Sequence, residues 1–316
     1  MRIIILDEDT TGQEVDWSAL HELGEVVSYG TTATEAEVVA RTQGAEAALT
    51  NKVPFPRAVI EQLPDLRFIG VMATGYDRID LPTARERGIT VTNTPGYGTM
   101  AVAQHVFALL LSLANRVESH SQDVHAGGWH RKGEWTYQLY PIVELSGRTL
   151  GIVGLGDIGQ AVARIGQAFG MQVRAYSRTR KEVPGVQWCA SPAELFAQSD
   201  VVSLHCPLTP ETQGLVDAKL LAQLPPHAYL INTARGGLVD EQALRQALLE
   251  GRLAGAGLDV ISQEPPPADH PLMGLEPCLI TPHHAWGSLA SRQRLVDIIE
   301  DNLRSFLQGE AKNVVG

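Results

Sequence analysis

A chain of 316 residues, 44% hydrophobic and 19% charged, is long enough for two domains with cores that remove most apolar surface from water. Its formal net charge of −11 argues against a nucleic-acid partner, because phosphate binding needs a basic face. The three cysteines, Cys189, Cys206 and Cys278, are odd in number and form no CxxC, which excludes a disulfide framework and a cysteine zinc cluster as first readings.

In chain order, β-type runs at 3–6, 26–29, 47–50, 68–71 and 90–92 alternate with helical ones. Met1-Arg2-Ile3 leads into Asp7-Glu8-Asp9 without a signal-peptide pattern, and the apolar run 106–111 is far shorter than a membrane span. A cytoplasmic location with reduced thiols and no membrane partner is therefore expected. Thr34-x-x-Glu37 is a capping box that opens a helix, and Asp80-Leu81-Pro82 starts another that Gly88 stops. Such alternation predicts a parallel sheet with helices on both faces.

A turn-rich joint, Asn93-Thr94-Pro95-Gly96-Tyr97-Gly98, then leads into one helix predicted over 100–118. Its large apolar residues, Val102, Val106, Leu109, Leu110 and Leu113, exceed what one narrow core face needs. The following segment 125–141 lacks periodicity and holds Trp129, Trp135, Tyr137 and Tyr140. Together they predict a symmetric homodimer, with burial inside the second domain as the alternative. From there, strands are expected at 150–153, 173–176, 201–204, 229–232, 258–260 and 279–281, a second α/β unit. The amphipathic run 288–307 is too little to fold alone and should return to the first unit. One domain then comprises 1–98 and 287–316, and the other 99–286.

The second unit opens on Gly154-Leu155-Gly156-Asp157-Ile158-Gly159, set between an apolar strand and a helical run ended by Gly170. In such a strand–turn–helix the first glycine permits the bend, the second admits a pyrophosphate to backbone N–H groups, and the third allows close packing of helix on strand. Glycine-rich turns are common, so the flanking elements, and not the bare pattern, favour a dinucleotide. Three separated groups follow: Arg235 in TARGG, Glu264 in QEPPP and His283 in TPHHAW. Singly they read as a surface arginine in a turn, a solvated loop charge and a satisfied histidine. In this order behind a dinucleotide loop they are the parts needed for hydride transfer to an anionic carbonyl compound. His120, His125 and His130, five apart, share no helical face, and no metal site is expected.

About 20 residues after the loop, dinucleotide folds commonly carry an acid that binds the ribose hydroxyls. Here that place reads Tyr176-Ser177-Arg178-Thr179-Arg180. Ser177 removes the negative charge, and Arg178 and Thr179, with Arg180, can donate to a 2′-phosphate. NADP is thus the expected cofactor, with NAD as the alternative.

The chain resembles the D-isomer-specific 2-hydroxyacid dehydrogenases over nearly its whole length. ATGYD (73–77), NTPGYGTMAVAQH (93–105), GIVGLGDIGQAVA (151–163), HCPLTPET (205–212), INTARGGLVDE (231–241), GLDV (257–260) and TPH (281–283) carry the resemblance. Thr50-Asn51-Lys52 and His284-Ala285-Trp286 are closest to the glycerate dehydrogenase, or hydroxypyruvate reductase, branch. The resemblance implies an α/β fold of two doubly wound parallel-sheet domains, a Rossmann NAD(P)-binding domain inserted in a smaller flavodoxin-like substrate domain. It implies that Arg235 binds the substrate carboxylate and carbonyl, that His283 exchanges a proton with the carbonyl oxygen, and that Glu264 holds the imidazole and stabilises its charged form. Thr74 and Gly75, with Lys52, become substrate contacts in the interdomain cleft. Asp259 would meet the nicotinamide carboxamide, while Cys206, Pro207, Thr212, Thr233 and Ala234 line the cofactor; His284 is a non-catalytic neighbour. The activity implied is reduction of hydroxypyruvate or glyoxylate. A dehydrogenase for another 2-keto acid (phosphoglycerate or lactate type) and a dinucleotide-sensing, corepressor-like protein share these motifs.

Overall fold

The computed structural model describes all residues, Met1–Gly316. The chain divides into two compact units, Met1–Gly98 with Trp286–Gly316, and Thr99–Ala285.

The first unit is built on five parallel strands, β1 (Arg2–Ile5), β2 (Glu25–Ser28), β3 (Ala47–Thr50), β4 (Phe68–Val71) and β5 (Thr90–Thr92), in the order β2-β1-β3-β4-β5. That is the flavodoxin-like order, with the reversal between β1 and β3. Strands buried on both faces read as unbroken apolar runs, which is why Ile3, Ile4, Ile5 and Leu6 are all buried. Val38, Val59, Ile60 and Leu63 cover one face. On the other face, Leu295, Val296, Ile299 and Leu303 of the helix Leu289–Leu307 pack on Ile3, Ile5, Leu49 and Phe68. Each such aliphatic side chain contributes roughly 1.5–3 kcal/mol of burial. The run 288–307 thus returns to the first unit, its N-terminus capped by the Ser288 hydroxyl, which accepts from Ser291 N–H. The Thr34–Glu37 capping box closes both of its hydrogen bonds.

That C-terminal helix also buries a carboxylate. Glu300 is 8% exposed, and its Oε1 has no hydrogen-bond partner. Burial, with Asp297 and Asp16 adding to it and the Leu20 backbone and Arg304 opposing, pushes its carboxyl up to about 7. A folded-state value raised above the unfolded one means that the native protein binds this proton more tightly. Its contribution is full below the unfolded value of about 4.5 and is lost as pH climbs through about 7. Glu300→Gln should therefore raise the melting temperature at pH 8, by an amount corresponding to about 1–3 kcal/mol after allowance for solvent screening. The gain should vanish near pH 4.5, and equal gains at both pH values would show that ionisation of Glu300 does not destabilise the fold.

The second unit has seven parallel strands: β6 (Thr149–Val153), β7 (Gln172–Tyr176), β8 (Val186–Trp188), β9 (Val201–Leu204), β10 (Tyr229–Asn232), β11 (Gly255–Leu258) and β12 (Cys278–Ile280). Their order, β12-β11-β10-β9-β6-β7-β8, reverses at β6, whose neighbours are β9 and β7. The carboxyl end of β6 is thus a topological switch point, where open α/β sheets bind ligands, and Gly154 stands there.

Several expectations are corrected. The helix foreseen over 100–118 is two helices, Thr99–Asn115 and Val117–His125, bent by 55° at Arg116, which takes a left-handed φ of 49°. The Arg116 guanidinium lies over the Tyr140 ring at 5.2 Å, and its carbonyl meets His120 Nδ1 at 2.8 Å. Val102, Val106, Leu109, Leu110 and Leu113 are buried inside this unit, so their size calls for no second copy. The segment 125–141 contains a short helix, Gly128–Lys132. β8 follows a charged, proline-containing stretch that hides its periodicity. β11 starts at Gly255, three residues before the expected strand, because its glycines admit the helix Thr99–Asn115. A Cβ on Gly257 would lie 2.9 Å from Leu109 Cβ, and one on Gly255 would lie 3.1 Å from Leu113 Cδ2. No single helix is long and apolar enough to cross a membrane.

Candidate active site

At the end of β6, Gly154 has φ +93°, and a Cβ there would come within 2.7 Å of Cys206 N. A Cβ on Gly159 would fall 2.2 Å from the Gly154 carbonyl oxygen. These two glycines are required by packing, whereas a Cβ on Gly156 would meet nothing within 4 Å. The helix Asp157–Ala168 makes its first bond from Gln160 N–H to Gly156 O, so the N–H groups of Asp157, Ile158 and Gly159 precede the intrahelical ladder. Leu155 is buried beneath the turn. At the end of β9, Thr212 Oγ1 donates to Pro207 O (2.7 Å) and accepts from Thr209 N (2.8 Å), closing the turn that follows Cys206. At the end of β10, Ala234 N donates to Asn232 Oδ1, while the buried Thr233 hydroxyl has no partner. N–H groups left outside the intrahelical ladder, open space over Gly156 and an orphaned buried hydroxyl fit a bound dinucleotide.

After β7, Ser177 is half-buried and Arg178, Thr179 and Arg180 are exposed. Arg180 lies over the Trp188 ring at 5.8 Å. The carboxyl of Glu211 is held below its usual value, first by the Thr209 side chain and in part by the charge of Arg178. Arg178 therefore has an acidic neighbour.

The three catalytic candidates all lie in this second unit. Arg235 is extended (φ −144°, ψ 137°); its carbonyl accepts from Asn232 Nδ2 (2.9 Å) and its Nη1 donates to Ala234 O (2.8 Å). Next to it, a Cβ on Gly236 would lie 1.9 Å from the Ile261 carbonyl carbon, so the Arg235 turn rests directly on the backbone that leads to Glu264. Glu264 Oε2 lies 2.6 Å from His283 Nδ1, and its Oε1 accepts from Ile261 N at 3.2 Å. His283 has φ 51°, in the left-handed region that non-glycine residues seldom occupy.

Asp259 explains how that conformation is held. It is 1% exposed; its carbonyl accepts from His283 N (2.8 Å), and its carboxylate accepts from His284 N (3.0 Å), Ala285 N (2.8 Å) and the Thr281 hydroxyl (2.6 Å). The sequence pointed to Asp259 as a cofactor contact and missed this anchoring of 281–285. It also missed His105, whose Nε2 lies 3.0 Å from Thr281 Oγ1, because partners 176 positions apart share no local pattern. Burial chiefly pushes the His105 imidazole below its usual value, against the attraction of Asp259. His105, Asp259 and His284 bring ligand-type atoms within 4.8 Å of one another, a grouping unlike the rejected one at His120, His125 and His130.

Lys52, Thr74 and Gly75 belong to the first unit. Buried Asp7 accepts from Asn51 N (2.9 Å) and Lys52 N (2.5 Å); burial raises its carboxyl and these bonds oppose the rise. The loop carrying Lys52 is thereby fixed to the end of β1. Thr74 Oγ1 donates to Thr94 O (3.2 Å) and Thr74 O accepts from Asn93 Nδ2 (2.8 Å), which sets the turn containing Gly75.

Residues 107–285 match the family model described as D-isomer specific 2-hydroxyacid dehydrogenase, NAD binding domain. The chain is 44% identical to a hydroxypyruvate reductase of Blautia hydrogenotrophica, over 100% of this chain and 99% of the relative. It is 40% identical to a glycerate dehydrogenase of Methylorubrum extorquens, over 99% and 98%. Among solved structures, an NADPH-dependent glyoxylate/hydroxypyruvate reductase of Sinorhizobium meliloti, in complex with NADP and malonate, superposes with a TM-score of 0.86 at 33% identity, covering 100% of this chain and 96% of that one.

Proposed function

The chain belongs to the D-isomer-specific 2-hydroxyacid dehydrogenases, and from that premise we propose that it reduces hydroxypyruvate and glyoxylate to D-glycerate and glycolate, preferring NADPH. The observation that carries the proposal is the 2.6 Å contact between Glu264 Oε2 and His283 Nδ1, on the same unit as Arg235 and the glycine loop.

Gly154, Leu155, Gly156, Asp157, Ile158 and Gly159 would hold the pyrophosphate, Ser177, Arg178 and Thr179 the adenosine end, and Cys206, Pro207, Thr212, Thr233, Ala234 and Asp259 the remainder. The chemistry that a nicotinamide supplies when bound there is hydride transfer. Arg235 offers a planar pair of donors to the substrate carboxylate and so orients the 2-keto group. Glu264 holds Nδ1 of His283 and stabilises the imidazolium, which delivers the Nε2 proton to the C2 oxygen in reduction and takes it back in oxidation. Lys52, Thr74 and Gly75 are proposed as further substrate contacts.

Two further parts of the proposal rest on surface composition and thiol state. A homodimer is supported by the exposed apolar groups of the second unit, with Trp135 97% and Val117 65% exposed. A cytoplasmic location is supported by three free cysteines. A monomeric mass at micromolar concentration would remove the dimer.

The test is a panel of 2-keto acids, hydroxypyruvate, glyoxylate, pyruvate and phosphohydroxypyruvate, ranked by kcat/KM with NADPH and with NADH. Hydroxypyruvate or glyoxylate should lead. A lead by pyruvate or phosphohydroxypyruvate would reassign the substrate. Cofactor binding without turnover of any 2-keto acid would make the chain a dinucleotide sensor.

A further inference from the structure

Glu264 stands in an exposed run, 262–269, yet its carboxylate must be kept within 2.6 Å of His283. Both ends of that run are tied to a single acid outside the catalytic set. Glu241, the first residue of the helix Glu241–Leu249, accepts at Oε1 from Ser262 N (2.7 Å) and at Oε2 from the Ser262 hydroxyl (2.6 Å) and His270 Nε2 (3.0 Å). His270 Nδ1 accepts from Leu272 N (3.4 Å), so its Nε2 carries the hydrogen and donates. The His270 and Glu241 side chains are 3% and 11% exposed, which shields these bonds from competing water. Asp240 caps the same helix, its Oδ1 accepting from Gln242 N and Ala243 N, so Glu241 projects from an element that is itself fixed. The turn around Gly236 abuts Ile261 and Ser262 from the Arg235 side.

We propose that Glu241 is a positioning residue for the reaction: by clamping Ser262 and His270 it sets the loop that presents Glu264 to His283. The inference rests on the dehydrogenase reading of Arg235, Glu264 and His283. Three accepted bonds need a carboxylate. In Glu241→Gln one acceptor becomes an NH2 donor facing either the Ser262 backbone N–H or the Ser262 hydroxyl and His270 N–H together, and the clamp loosens without removing side-chain volume. Loosening of the loop that presents Glu264 should lower kcat by about tenfold to a hundredfold, the scale of a misplacement near 1 Å.

The test compares Glu241→Gln, Glu264→Gln and the double variant with the parent. Glu264→Gln removes the charge that favours the imidazolium, so reduction should fall off at a lower pH than in the parent. Glu241→Gln should move the alkaline fall in the same direction, with the NADPH Kd unchanged within about threefold, and the double variant should match Glu264→Gln alone, because one acts through the other. A parent-like kcat and pH profile would overturn the proposal. So would a fall in kcat with an unmoved profile, the mark of a merely structural role. Hydrogen exchange of 261–270 supplies a readout that needs no turnover: faster exchange confined to this loop in Glu241→Gln supports the clamp, and unchanged exchange overturns it. Absence of turnover in the parent would count against the dehydrogenase reading alone.

Discussion

Replacing His283 with alanine should lower kcat for 2-keto acid reduction by about 10²- to 10⁴-fold, the contribution of a positioned general acid. Binding of NADPH should persist. The two parts separate because the backbone around position 283 is held by Asp259 through N–H groups that alanine retains, while Glu264 holds the imidazole at Nδ1. Histidine already carries the Cβ cost of φ 51° and alanine is somewhat less favoured there, so the variant should fold with a modest fall in melting temperature. Single-turnover rates, with the cofactor Kd measured by fluorescence titration, check both halves. A kcat within threefold of the parent would remove His283 from the chemistry.

The second large effect concerns the cofactor. NADPH should be preferred over NADH by about ten- to a hundredfold in kcat/KM, since one charge-assisted contact is worth roughly 1.5–3 kcal/mol and each 1.4 kcal/mol is tenfold. Arg178 and Thr179 are exposed, so the preference should shrink as ionic strength rises. Glu211 works against it, because a negative group within the field of Arg178 competes with a phosphate for the same guanidinium. Substituting Ser177→Asp together with Arg178→Ala restores a ribose-binding acid, removes the phosphate donor and should reverse the order. A parent that uses NADH at least ten times better than NADPH would contradict this reading of the strand end.

The two α/β units were legible because buried parallel strands announce themselves as apolar runs, and residues 47–50, 68–71, 201–204 and 229–232 form strands with no change of boundary. The capping box at Thr34, the stop near Gly88 and the return of 288–307 were legible for a similar reason: each rests on local chemistry or on an amphipathic face that must be covered. The bend at Arg116 was not, since nothing in the composition of 99–125 marks one left-handed residue; the tertiary setting, with Tyr140 under the guanidinium, accompanies it. β11 was misplaced because Gly255 and Gly257 look like a loop until the helix lying against them is known. At the site, the sequence proposed Arg235, Glu264 and His283 from their motifs, and the structure brings Glu264 to His283, whereas the groups that hold these segments left no mark in the sequence. Asp259 reaches 283–285 and Glu241 reaches 262 and 270 through contacts between distant segments, and no periodicity records such pairs.

The helix Leu289–Leu307 covers a sheet face whose strands end at Thr92, so nearly 200 residues of other structure are synthesised between the two. During translation Ile3, Ile5, Leu49 and Phe68 have Trp17 and Leu20 as early partners but lack the cover of Leu295, Ile299 and Leu303 until that helix is made. The inserted unit is continuous in sequence and can complete its own core first, so the order of assembly on the ribosome runs opposite to the order of synthesis. A released chain cut before Leu289 would keep all seven strands of the second unit but leave one face of the first sheet without its helix, and it should bind chaperones more strongly than the full chain.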